Sequence, residues 1–108
     1  MTYDLKLAER VRSQLAGIPC NEIKMFGGVG FLVHGNMACG VHKSNLVVRV
    51  DPEKHNVLLK KPHAKPFDLT GRPMKGWLVV AAEGCKTEKQ LSTWIKESIE
   101  FALTLPPK

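Results

Sequence analysis

Apolar residues recur at steps of three and four over residues 2–16, with Leu5, Ala8, Val11 and Leu15 on one side and Lys6, Glu9, Arg10, Arg12 and Ser13 left mostly to water. This spacing predicts an amphipathic helix. Thr2 or Asp4 caps its start by accepting hydrogen bonds from free backbone amides, and Gly17 and Pro19 end it. From Ile23 to Val50 the period shortens to two. Val29, Phe31 and Val33 form one inward row, Met37, Cys39 and Val41 a second, and Leu46, Val48 and Val50 a third. His34-Gly35-Asn36 and Lys43-Ser44-Asn45 separate these runs and tolerate positive φ. An antiparallel meander follows, with a short first strand at Ile23–Phe26, because such brief connections leave no room for crossover helices.

Asp51-Pro52-Glu53 reads as a helix start, with Asp51 as cap and Pro52 in the first helical position. The helix is short and stops near Lys61, since Pro62 and Pro66 forbid extension. Residues 62–76 read as loop, with a brief strand at Phe67–Leu69 and a turn at Thr70–Pro73. Trp77–Ala82 is a mostly apolar run suited to a strand. Thr87 and Gln90 have capping-box spacing, and Leu91, Trp94, Ile95, Ile99, Ala102 and Leu103 make the apolar stripe of a last helix. The pattern predicts an α+β fold of two layers, an antiparallel meander with N- and C-terminal helices packed on it. At 108 residues, the chain is read as a single domain, 1–108.

Two glycine-containing stretches stand apart from this periodicity. The first is Lys24-Met25-Phe26-Gly27-Gly28-Val29-Gly30-Phe31, followed by His34-Gly35-Asn36-Met37 and the strand Leu46–Asp51. The second is Pro66-Phe67, then Gly71-Arg72-Pro73-Met74-Lys75-Gly76-Trp77. In order and spacing these resemble the N-terminal domain of the TfoX/Sxy family across nearly the whole chain. The resemblance implies a two-layer α+β domain similar in architecture to bacterial secretion chaperones. It also implies a role in regulating competence genes rather than an enzymatic one. Full-length members typically add a C-terminal helical module resembling helix-hairpin-helix units, and the 108 residues match the N-terminal half of that arrangement. The residues implied as family motif, structural or interacting, are Met25, Phe26, Gly27, Gly28, Gly30, Gly71, Pro73, Met74, Gly76 and Trp77.

Read as chemistry, Gly27, Gly28 and Gly30 permit a bulge, a bend or the close approach of another backbone. A dinucleotide fingerprint would need a strand before the glycines and a helix after them, and here a strand follows. The net charge of +6 gathers in Lys60, Lys61, Lys65, Arg72 and Lys75, with Asp68 the only acid among them. That segment offers contacts to anions or nucleic-acid phosphates, although a solvated basic loop accounts for it more simply.

Cys20, Cys39 and Cys85 lack the spacing of a zinc or redox motif and read as free thiols of a reducing compartment. His34, His42, His55 and His63 read as surface residues, with no carboxylate or thiol at ligand spacing beside them. No metal or cofactor is expected, and no nucleophile elbow, P-loop or spaced acidic pair is present. The apolar runs are too short to cross a membrane, and the start of the chain is unlike a signal peptide, so a cytoplasmic location is expected.

The expected function is a non-enzymatic binding or regulatory module working by protein–protein contact. The alternatives are direct nucleic-acid binding through residues 60–75, or small-ligand binding. A homodimer through an exposed sheet face or edge strand is a further partner that the pattern allows.

Overall fold

Asp4 opens the first helix by accepting hydrogen bonds on its side chain from the amides of Lys6 and Leu7. The computed structural model describes residues 3–25, 28–67 and 76–106, with Met25 described by its backbone alone. Helix α1 spans Leu5–Gln14 and buries Leu7, Ala8 and Val11. Leu5 is 52% exposed, so Leu7 takes the place in the core that the spacing gave to Leu5.

Four consecutive strands follow: β1 (Asn21–Met25), β2 (Gly28–Val33), β3 (Asn36–His42) and β4 (Asn45–Arg49). All pair antiparallel as a meander. His34 and Gly35, with φ of 52° and 82°, make the two-residue connection closed by the Val33–Asn36 pair. Both residues in the left-handed region match the twist of a tight hairpin.

The register shifts between Phe31 and Leu32, so that Phe31 faces Cys39 while Leu32 faces Met37. The extra residue, Ala38, is buried beside Cys39, and Met37 moves off the inward row predicted for it.

Asp51 accepts a hydrogen bond from the Glu53 amide, and a 3₁₀ turn at Pro52–Lys54 leads into helix α2 (His55–Leu59). The next strand, β5, is Ala64–Pro66, earlier than the Phe67–Leu69 stretch expected from sequence. Phe67 is buried but lies outside any strand, and Leu69 falls outside the described residues. Strand β6 (Trp77–Val80) inserts between β4 and β5, giving, among the described residues, a six-stranded sheet of order β1-β2-β3-β4-β6-β5. A 3₁₀ turn (Ala82–Cys85) precedes helix α3 (Glu88–Leu103), whose capping box between Thr87 and Gln90 is formed in both directions.

Helices α1 and α3 cover one face. Their Val11, Leu91, Trp94, Ile95 and Ile99 join Phe31, Cys39, Val41, Leu46, Val48, Leu78 and Val80 of the sheet in one continuous core. Ser98 completes the α3 stripe and donates to the Ile95 carbonyl at 2.7 Å, while Leu103 is exposed. No described helix is long and apolar enough to cross a membrane.

Candidate interaction surface

The sheet face turned away from α1 and α3 follows from the register. Ile23 pairs with Gly30, Gly30 with Gly40, Gly40 with Val47, Val47 with Val79 and Val79 with Lys65. Residues directly opposite one another share a face, so this row crosses all six strands on the outer side. Next to it run Leu32 and Met37 on β2 and β3, then Arg49 and Trp77 on β4 and β6. Val47 is buried yet stands outside the main core cluster, as does Phe67.

The centre of this face has a floor without side chains. A Cβ on Gly40 would lie 2.5 Å from the Val29 carbonyl oxygen and 3.1 Å from Met37 Cε, so Met37 lies over the glycine. A Cβ on Gly28 would run into the Val41 carbonyl oxygen. Both glycines thus let β2 and β3 approach closely, which is the backbone-approach role their sequence setting suggests.

At the far side, Phe67 and Trp77 meet with ring centroids 6.1 Å apart. The Arg49 guanidinium sits between two aromatic rings, 5.4 Å from the centroid of Trp77 and 5.6 Å from that of Phe101 on α3. Such contacts hold a flexible cation in place and contribute about 0.5–2 kcal/mol each. A groove of about 230 Å³ opens beside them, with His42, Lys65, Phe67 and Val79 among its walls.

Several motif residues have defined places. Met25 pairs with Gly28 where β1 meets β2, Gly30 lies in the outer row, Gly76 is the turn residue just before β6, and Trp77 begins that strand. Phe26, Gly27, Gly71, Arg72, Pro73, Met74 and Lys75 lie outside the described residues. The structure thus brings Gly28, Gly30 and Trp77, from two motifs far apart in sequence, onto one face of one sheet.

That arrangement agrees with a comparison against family models. The TfoX N-terminal domain model matches residues 14–102. The chain belongs to the TfoX N-terminal domain family. No curated protein matches it.

The remaining candidates of this TfoX N-terminal domain do not gather into one site. Lys60 is the C-cap of α2 and Lys61 follows it, with Lys61 Nζ 5.4 Å from the Trp94 ring centroid. Lys65 lies on β5 and lines the outer groove instead. His34 and His42 flank opposite ends of β3, whose length holds them roughly 20 Å apart.

His55 departs from the expectation of surface histidines. It is buried, and its Nδ1 accepts the Gly76 amide at 3.0 Å. Leu58, also buried and three residues on, marks the inward side of α2 and was the available sequence signal. Among the described residues no three His, Cys, Asp or Glu side chains converge where a metal ion could sit.

The thiols are held back by burial. It pushes Cys39 up to about 12, with the Ser98 hydroxyl pulling only partly the other way, and it raises Cys20 and Cys85 as well.

Proposed function

We propose that this TfoX N-terminal domain is a non-enzymatic binding module that acts by protein–protein contact through the outer face of its sheet. Family membership associates it with competence regulation, and this reading gives the domain the recruiting part of such regulation. One observation carries it: residues of both family motifs, Gly28, Gly30 and Trp77, share the sheet face opposite the helices. Half-buried Leu32, Met37, Val79 and Trp77 on that face supply apolar and aromatic area of the kind that anchors protein interfaces.

Direct contact with nucleic acid through Lys60, Lys61 and Lys65 is the lesser reading, because Lys61 is drawn to Trp94 while Lys65 belongs to another groove. Affinity capture from the source cell tests the proposal. The wild-type chain is expected to retain a defined protein that a Leu32→Lys/Met37→Lys variant loses. Equal retention by the two, or no retained protein, would overturn it. Recovery of nucleic acid that is released steeply by salt would favour the lesser reading.

A further inference from the structure

The two edges of the sheet are built differently. Edge strand β5 has three residues and ends in Pro66, which has no N–H to offer. Such an edge resists strand addition. Edge strand β1 has five residues and no proline, and among the described residues no strand pairs with its outer side. Residues 21–24 are exposed, and Ile23 at the centre of the strand is 41% exposed. Its cross-strand neighbour is Gly30, which has no side chain to cover it. An apolar residue in the middle of an open edge, with unpaired backbone groups on both sides of it, is an addition site unless something guards it.

Charge selects the partner. When two β1 strands pair antiparallel about a two-fold axis at Ile23, residue 21 faces residue 25, residue 22 faces residue 24, and Ile23 faces itself. Glu22 then lies opposite Lys24 of the second copy, and Lys24 opposite its Glu22. Centring the pair on Glu22 or on Lys24 instead would set like charges against each other, which destabilises cross-strand pairs. The sequence Glu22-Ile23-Lys24 is therefore self-complementary in one antiparallel register.

We propose that β1 is a self-association edge, through which two copies of this chain join their six-stranded sheets antiparallel about Ile23. The contact is small beside a standard interface of roughly 1,600 Å², so the association is weak and reversible. It uses the strand edge and leaves Leu32, Met37 and Val79 on the outer face, so it stands or falls separately from binding of another protein there.

Sedimentation equilibrium of the full chain up to about 1 mM tests it. The wild type is expected to show a monomer–dimer equilibrium. Lys24→Glu, which leaves the Arg12–Glu22 pair in place, should weaken the dimer about tenfold by opposing two pairs of carboxylates. Glu22→Lys should weaken it similarly, and an equimolar mixture of the two variants should recover association, because every cross-strand pair is then of opposite charge. A monomeric wild type, a Lys24→Glu variant that dimerises as well as wild type, or a mixture no better associated than its components would overturn the proposal. Should Glu22→Lys fail to fold without its Arg12 partner, the comparison of wild type with Lys24→Glu decides alone.

Discussion

His55 Nδ1 accepts the backbone N–H of Gly76 at 3.0 Å in a buried setting, tying α2 to the start of β6. The accepting nitrogen requires the ring proton to sit on Nε2. Gly76, with φ of +88°, also accepts the Val50 amide at 2.7 Å, so it joins the end of β4 as well. Replacing His55 by Leu leaves a buried amide unpaired and should cost about 1–3 kcal/mol. His55→Asn, whose side-chain oxygen can accept in a similar place, should lose less. Urea midpoints of the two variants check the order, and equal losses would show that the hydrogen bond contributes nothing beyond packing.

Gly40→Ala should cost about 1–3 kcal/mol, because the added methyl meets the Val29 carbonyl and the two strands must part. The same change at Gly17 meets nothing within 4 Å, so only its left-handed φ of +88° opposes it, at about 1–2 kcal/mol. Thermal unfolding combined with amide exchange separates the two. Gly40→Ala should loosen protection in β2 and β3, and Gly17→Ala should not.

The buried Cys39 thiol gives stability a pH dependence of definite sign. Its folded value is about 12 against an ordinary 9.0. Below pH 9 the thiol is protonated in the folded and unfolded chains alike, and its contribution is fully present. Between about 9 and 12 the unfolded chain ionises and the folded chain does not, so stability falls as pH rises. Denaturant unfolding between pH 9 and about 11 should show a shallower decline for Cys39→Ala than for wild type. Parallel declines would contradict it.

Arg12 on α1 holds Glu22 on β1 through two hydrogen bonds, at 2.6 and 2.8 Å. That contact draws the Glu22 carboxyl below its usual range. The stabilisation is present above the ordinary carboxylate value and is lost as pH falls through the depressed one. Both side chains remain substantially exposed, so water screens the pair and its coupling should not exceed about 1 kcal/mol. A double-mutant cycle with Arg12→Ala and Glu22→Gln measures it, and the coupling should vanish in strong acid.

The meander was legible because its alternation and turn residues agree over Val29–Val50. Asp4, Asp51 and Thr87 cap where their sequence settings place them. What alternation alone does not contain is a register shift. The bulge at Ala38 turns Met37 outward, and nothing in a period of two signals it. Nor does local pattern state that β6 enters between β4 and β5, since that order is decided by pairing across distant segments. The candidate surface shared this fate. Its motif residues were visible one by one, whereas their common face required the order and register of the strands.

The most direct test of the outer-face account places a photoreactive phenylalanine analogue at Val79 in one protein and at Lys96, on the exposed side of α3, in another. After irradiation in the source cell, position 79 is expected to yield a discrete crosslink to another protein, and position 96 little or none. Crosslinks confined to position 96, or none from position 79, would contradict the claim that this face is where the domain meets its partner.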